Sequence, residues 1–277
     1  MIRASARTAG LRGLLEGSLV PLLALSCWEI AARAGWASPV VLPAPSAVGK
    51  KWLEGIPPAE PFSGEGSWLG WALSGELIQD AASSLYRVIV GFLIALVFAL
   101  PIGLCMGALP RLYRLVNPLV QLLRPIPPIA YIPMAILWFG LGNPPALFLI
   151  ALGAFFPILM STIAGVRQVD AIYVRAAQSL GAGPIPLFAR VILPAATPYI
   201  LSGVRIGIGT AFIVVIVSEM IAVNDGLGFR ILEAREFMWS NKILAGMGTI
   251  GLLGLLLDTA IARLNGHLLR WHQGLAR

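Results

Sequence analysis

The stretch that decides the fold runs from residue 169 to residue 198 and reads Val-Asp-Ala-Ile-Tyr-Val-Arg-Ala-Ala-Gln-Ser-Leu-Gly-Ala-Gly-Pro-Ile-Pro-Leu-Phe-Ala-Arg-Val-Ile-Leu-Pro-Ala-Ala-Thr-Pro. It is a polar segment with apolar runs of membrane length on both sides. Asp170 can cap a short helix with its carboxylate, and Gly181 can end that helix in the left-handed conformation that other residues avoid. Pro184 suits the start of a second helix, because the first helical position needs no N–H. The stretch therefore predicts a helix, a sharp turn and a second helix on one side of a membrane.

The composition indicates an integral membrane protein. Hydrophobic residues make up 58% of the chain and charged residues 12%, and the mean hydropathy is +0.84. So few charges could not cover a soluble protein of this length.

The net charge of +7 does not indicate nucleic-acid binding, because the basic residues are dispersed among apolar runs. Cys and His residues lack the spacing of a metal site, so we expect no metal or other cofactor.

The apolar runs predict an all-α membrane protein with about six transmembrane helices of roughly 20 residues each. The runs cover residues 19–36, 84–109, 115–139, 145–165, 199–223 and 243–264. The basic start resembles a signal peptide. However, the first run is long, holds Glu29 and Arg33, and lacks a small-x-small cleavage site, so we expect it to be retained. Residues 38–83 are rich in proline, glycine and acid, which predicts a loop with one or two short interfacial helices.

The third run is interrupted by prolines, each of which removes a helix N–H: Pro125, Pro127, Pro128 and Pro133. Such breaks are tolerated at membrane depth only where protein or a water-filled cavity satisfies the freed carbonyl groups. Two interpretations remain open, a kinked helix that only packs and a broken helix that lines a route through the membrane.

The arginines set the orientation through the positive-inside rule. If the N-terminus lies in the cytoplasm, residues 1–18, the short loop after residue 109, the loop at 166–198, the end of the sixth run and the tail at 266–277 are on the inner side, and residues 38–83 lie outside. The inner segments then hold most of the basic side chains, namely Arg3, Arg7, Arg12, Arg111, Arg114, Arg167, Arg175, Arg190, Arg263, Arg270 and Arg277. The outer segments hold most of the acids. The sequence therefore predicts a cytoplasmic N-terminus.

The stretch at 169–198 resembles the signature loop of permease subunits in binding-protein-dependent ABC importers. The family pattern is Glu-Ala-Ala, three residues, Gly, nine residues, Ile, one residue and Leu-Pro. The matching positions are Ala176, Ala177, Gly181, Val191, Leu193 and Pro194. Arg175 stands where many members have glutamate, so the salt link of that glutamate is not expected here.

Other segments are similar to the sulfonate, taurine and nitrate branch of this family: residues 124–128, 138–142, 153–157 and 203–207. Residues 175–182 and the tail pair Trp271-His272 look most like taurine permeases. The resemblance covers roughly residues 19–271.

The resemblance implies the type I ABC importer transmembrane-domain fold over residues 19–265, in the bacterial inner membrane. It further implies a homodimer in the lipid bilayer, cytoplasmic ABC ATPase subunits and a periplasmic binding protein. The binding protein would deliver taurine or another alkanesulfonate; nitrate or a small heterocyclic vitamin precursor is the alternative. The sequence has no Gly-x-x-x-x-Gly-Lys-Ser/Thr loop, so we expect ATP hydrolysis on a separate subunit and no enzymatic activity in this chain.

The resemblance also assigns the cytoplasmic loop a role in coupling to the ATPase. The residues expected to carry it are Tyr173, Arg175, Ala176, Ala177, Leu180, Gly181 and Ala182. The small side chains among them permit close approach of a partner surface. The alternative is a connecting loop that only satisfies its own backbone.

Ionisable residues inside membrane spans cost roughly 2.5–3.5 kcal/mol at mid-membrane and are candidates for function. Arg124 lies amid the proline break and could meet an anionic sulfonate. Glu219 lies in the outer part of the fifth run and could meet an ammonium group or gate the path. These two are the predicted pathway residues.

The other ionisable residues in the runs have structural interpretations. Glu29 and Arg33 are four residues apart and can pair on one helix face. Asp258 and Arg263 are expected to snorkel towards the inner surface. Arg205 is expected to contact headgroups or to anchor the loop.

Two other classes of protein fit less well. An ion-coupled secondary transporter would have matching broken helices in both halves, and only the third run is broken in this way. A membrane enzyme would need a clustered polar site, and the sequence shows no Ser-His-Asp set or paired carboxylates. We therefore predict no catalytic residues.

Overall fold

The computed structural model of the chain describes residues 2–58, 61 and 67–269, and every regular element in them is helical. The predicted all-α class is therefore confirmed. The tail pair Trp271-His272, Arg270 and Arg277 lie outside the described residues. The helices are α1 (Ile2–Arg33), α2 (Pro45–Glu54), α3 (Trp68–Ala72), α4 (Glu76–Ala108), α5 (Pro110–Leu123), a 3-10 turn (Pro128–Tyr131), α6 (Ile132–Phe139), α7 (Asn143–Arg167), α8 (Ala171–Ser179), α9 (Pro184–Leu187), a π turn (Phe188–Ile192), α10 (Leu193–Ala222), α11 (Leu227–Glu236) and α12 (Ser240–Leu268).

Four of the described helices are long and apolar enough to cross a membrane: α4, α7, the continuous helix Pro184–Ala222 and α12. A fifth span results if the bent pair Pro110–Leu123 and Pro128–Phe139 crosses as one unit. Most of the predicted first run, residues 19–36, lies in α1, which is 32 residues long but is not among these helices. That α1 crosses the membrane, and that the chain has six spans, therefore stay predictions.

The proline-rich third run is a broken helix. α5 ends at Leu123, and the chain resumes as the 3-10 turn that begins at Pro128 and leads into α6. The two halves are bent by 83°. Closely spaced prolines explain the break, because they remove successive backbone donors and restrict the residues that precede them.

The chain divides into two compact units, residues Met1–Ile78 with Ile231–Gly248, and residues Gln79–Arg230 with Thr249–Arg277. In the first unit, Arg33 Nε donates to Glu29 Oε1 at 2.5 Å, as the spacing predicts. Glu29 also accepts hydrogen bonds from the backbone N–H and the hydroxyl of Ser46. The pair therefore ties the end of α1 to the start of α2.

In the second unit, α4 and α10 both pack closely against α7. An added Cβ at Gly103 of α4 would lie 2.7 Å from the Cβ of Thr162, and one at Gly203 of α10 would lie 2.4 Å from the Cβ of Ser161. Small residues of this kind let transmembrane helices approach at the backbone. The core between these helices includes the fully buried Ile158.

Candidate functional site

The loop at 166–198 has the geometry that its sequence predicts. Asp170 Oδ1 accepts the backbone N–H of Ile172 at 2.9 Å and caps the start of α8. Gly181 has φ of +82°, its N–H bonds to the carbonyl of Gln178, and the N–H of Ala182 bonds to the carbonyl of Ala177. This pair of bonds is a Schellman motif, which ends α8 at a left-handed glycine.

The second half of the loop runs without interruption into the fifth predicted span. α9 begins at Pro184 and is followed by the π turn at Phe188–Ile192 and then by α10. Together they form one helical segment of 39 residues, Pro184–Ala222. A displacement of the loop would therefore act directly on α10. The sequence did not predict the π turn, a single-turn feature that is frequent at functional sites.

Much of the loop surface is exposed in the part of the chain that the structure describes. None of the residues of α8 is buried. We define the loop patch as its exposed large apolar side chains, of which Leu180 is 89% and Ile185 79% exposed: Ile172, Tyr173, Leu180 and Ile185. Arg175, Ala176 and Gly181 are also exposed, and Ala177 and Ala182 are half-buried. Clustered exposed apolar side chains mark an interaction surface.

The two predicted pathway residues have different environments. Arg124 follows the last residue of α5 and is exposed. Glu219 of α10 is fully buried. Its Oε1 accepts a hydrogen bond from Arg87 Nη1 at 2.7 Å, and its Oε2 accepts from the Ser84 hydroxyl at 2.8 Å and from the Gly228 N–H at 2.9 Å. Both oxygens of Glu219 are thus occupied, and its pathway role stays a prediction.

Arg87 is the centre of this network, and sequence reasoning missed it. Its side chain is only 2% exposed. Nε donates to the Asn143 side-chain oxygen at 2.7 Å, and Nη2 donates to the Asp225 carboxylate. The guanidinium group thereby connects α4 with the start of α7, the end of α10 and the turn that follows it.

A second ion pair extends the network along α4. Asp80 accepts the N–H of Gly226 at 3.0 Å and Arg230 Nε at 2.8 Å. We call the whole set the buried ionic cluster after its buried members Asp80, Ser84, Arg87 and Glu219; it also includes Asn143, Asp225 and Arg230, of which Asn143 and Asp225 are exposed and Arg230 is half-buried. Its signal in the sequence was the spacing of Asp80, Ser84 and Arg87, which are four and three residues apart and share one helix face.

Arg205 and Asp258 form an ion pair between α10 and α12. Arg205 Nε and Nη2 donate to Asp258 Oδ1 and Oδ2, each at 2.8 Å. The sequence did not predict this pairing, and the snorkelling expected for Asp258 and the headgroup contact or loop anchoring expected for Arg205 stay predictions. The pair forms because α12 packs beside α10, with Gly254 against Phe212, so that each charge finds its counter-charge in the neighbouring helix.

An apolar cavity of about 280 Å³ lies at the bend between α5 and α6. Its lining consists of Pro127, Pro128, Ile129, Ile132, Leu149, Ile213, Val214, Val217 and Ser218. A pocket without charged groups does not suit a sulfonate.

Within the described residues, no group of three or more His, Cys, Asp and Glu side chains could hold a metal ion.

The described helices include four that are long and apolar enough to cross a membrane, and comparison with known proteins gives the family. Residues 88–271 match the family described as the binding-protein-dependent transport system inner membrane component. The chain belongs to this family. It is an inner-membrane permease subunit of an ABC importer, as the resemblance implied.

Two relatives cover most of the chain. The taurine transport system permease protein TauC of Escherichia coli (strain K12) is 37% identical over 256 residues, which are 92% of this chain and 88% of that protein. The putative aliphatic sulfonates transport permease protein SsuC of Bacillus subtilis (strain 168) is 35% identical over 259 residues, 94% of this chain and 88% of that protein.

The fold matches a solved structure of the MetNI methionine ABC transporter in an inward-facing conformation. The TM-score is 0.59 with 21% sequence identity, and the match covers 74% of this chain and 98% of that one. This confirms the type I ABC importer transmembrane-domain fold.

Proposed function

We propose that this chain forms the membrane path of an ATP-driven importer for taurine or another alkanesulfonate. The observation that carries the substrate class is the similarity to TauC and SsuC, each of which aligns with more than nine-tenths of the chain. The signature loop and the segments at 124–128, 138–142 and 203–207 support the same assignment.

The loop patch is the proposed contact with the ATPase. A short rigid helix with exposed apolar side chains can seat in a cleft of a partner, and Leu180 and Ile185 would supply most of the apolar area that is buried. Because Pro184–Ala222 is one continuous helix, closure of the ATPase would move α10. The residues proposed for coupling are Tyr173, Arg175, Ala176, Ala177, Leu180, Gly181 and Ala182.

The proposed topology follows from the positive-inside rule. Residues 1–18, 166–198 and 266–277 lie in the cytoplasm, and residues 38–83 face the periplasm, where a binding protein delivers substrate. ATP is hydrolysed on a separate subunit, because this sequence lacks a phosphate-binding loop. A second copy of the chain completes the pore, and Arg124 and Glu219 belong to the route.

The test is reconstitution of the chain into liposomes with the ATPase and the binding protein of the same organism. We expect ATP-dependent uptake of taurine or a longer alkanesulfonate, and no uptake when the ATPase is left out. Nitrate, offered in parallel, should be taken up much more slowly. Uptake of nitrate alone would overturn the substrate class, and uptake without the ATPase would indicate an ion-coupled secondary transporter.

A further inference from the structure

The Arg205–Asp258 pair lies inside two predicted membrane spans. In the predicted spans 199–223 and 243–264, each of the two residues is six positions from the cytoplasmic end, which is about 9 Å at about 1.5 Å per residue. The side chains are nevertheless 50% and 49% exposed in the chain. Two charged groups inside the predicted spans are therefore open on one side.

Lipid is not a suitable neighbour for this open side. Charged groups within membrane spans face a protein interior or a water-filled cavity, because hydrocarbon cannot replace their hydration. Neutralisation by Asp258 lowers the cost of placing Arg205 in the span, but it does not occupy all donors of the guanidinium group. In the described part of the chain, Nε and Nη2 are bonded to Asp258 and Nη1 has no hydrogen bond.

The surroundings of the pair leave room for a ligand. Gly209 lies one turn beyond Arg205 on α10, and Gly251 lies two turns before Asp258 on α12. A Cβ added at either glycine would meet no atom within 4 Å. Water or an anion in the open space would satisfy the unbonded Nη1 group.

We propose that Arg205 and Asp258 bind a zwitterionic aminosulfonate during its passage through the membrane. This inference rests on the proposed function and narrows its substrate class. The sulfonate accepts hydrogen bonds from Arg205, whose planar donors suit oxyanions, and the ammonium group donates to Asp258. The pair is neutral when empty and stays neutral with a zwitterion bound, whereas a plain alkanesulfonate adds one unpaired negative charge.

Neutrality also suits a site that must release its ligand. A passage site needs binding that is favourable enough for entry and weak enough for exit. The pair offers one hydrogen-bonding group to each end of the substrate and no enclosing pocket. Tight binding and selection of the substrate would remain functions of the binding protein.

The experiment compares taurine with ethanesulfonate, which lacks only the amino group. Uptake of each is measured in liposomes that hold the complete transporter, with wild-type chain or with Asp258→Asn, and each rate is divided by its wild-type value. The preference of the binding protein cancels in these ratios. We expect taurine uptake to fall about tenfold or more, the effect of losing a hydrogen bond to a charged group. Ethanesulfonate uptake should stay the same or rise, because Arg205 is then free to pair with the sulfonate.

Glu29→Gln is the matched control, because it removes a carboxylate from the Glu29–Arg33 ion pair at another place in the chain. It should change both uptakes by the same factor. An equal fall for both substrates with Asp258→Asn, or no fall for either, would overturn the inference while leaving the proposed function in place. If the wild-type transporter moves a longer alkanesulfonate but neither taurine nor ethanesulfonate, the inference fails and the proposed function stands. If it moves no sulfonate at all, both fail.

A second measurement decides the case in which the wild-type transporter moves taurine but not ethanesulfonate. Asp258→Cys is prepared in a chain whose two cysteines, Cys27 and Cys105, are replaced by serine. A water-soluble maleimide should react with this cysteine, and an excess of taurine should slow the reaction. A cysteine that does not react, or whose reaction taurine leaves unchanged, would overturn the inference.

Discussion

Replacing Gly181 by aspartate is expected to lower uptake about 30-fold although the chain is still inserted in the membrane. Gly181 has φ of +82°, and a Cβ there would meet no atom within 4 Å, so the substitution causes no clash within the chain. Its effect falls on the exposed turn, which gains a charge beside the apolar loop patch. If Gly181 lies at the centre of the ATPase contact, the loss corresponds to about 2 kcal/mol of binding, or about 30-fold.

The measurement is taurine uptake together with ATP hydrolysis by the reconstituted transporter. We expect hydrolysis to persist and uptake to fall, because the ATPase is intact and only its link to α10 is broken. Gly181→Asn is the matched control, since asparagine tolerates the left-handed conformation and adds no charge, and it should retain most of the uptake. Normal uptake by Gly181→Asp would contradict the role of the loop.

Removing the charge of Arg87 has the largest expected effect on stability. Arg87→Met leaves the fully buried Glu219 without its cation, and loss of one partner of a buried ion pair typically costs about 3–5 kcal/mol. The second carboxylate partner, Asp225, is 52% exposed and can be hydrated instead. We expect a large fall in the thermal unfolding temperature of the purified chain in detergent.

A double variant separates the loss of the ion pair from the loss of side-chain packing. In Arg87→Met with Glu219→Leu, neither charge of the pair remains. Replacing both partners of a buried ion pair by apolar residues often leaves stability unchanged or raises it, whereas removing one partner lowers it. The double variant should therefore unfold at a higher temperature than Arg87→Met alone. Arg33→Met is the comparison, because it removes the cation of the Glu29–Arg33 ion pair, in which the Arg33 side chain is 70% exposed. It should lower the unfolding temperature much less than Arg87→Met. A double variant less stable than Arg87→Met would contradict the assignment.

The parts of the fold that the sequence predicted are those governed by local chemistry. Asp170, Gly181 and Pro184 determine their own surroundings within a few residues, so the helix, turn and helix of the loop could be derived without tertiary contacts. The prolines at 125–128 likewise predicted a break. They could not give its angle of 83°, which depends on how α6 packs against α7.

The buried ionic cluster could not be derived, because its contacts join residues far apart in the chain. Arg87 and Glu219 are 132 positions apart, and a single sequence carries no signal for such a pairing. The same reason explains why the pairing of Asp258 with Arg205, 53 positions away, was not predicted. The sequence identified Glu219, Arg205 and Asp258 as costly charges in the spans but could not show which opposite charge each would meet.

The central claim is that a separate ATPase drives this chain through the loop patch on the cytoplasmic side. The most direct test labels Leu180→Cys with a membrane-impermeant maleimide, in a chain whose exposed free cysteines Cys27 and Cys105 are replaced by serine. In inside-out membrane vesicles, we expect rapid labelling when the ATPase is absent and protection when it is bound. Labelling only in right-side-out vesicles, or at a rate that the ATPase does not change, would contradict the claim.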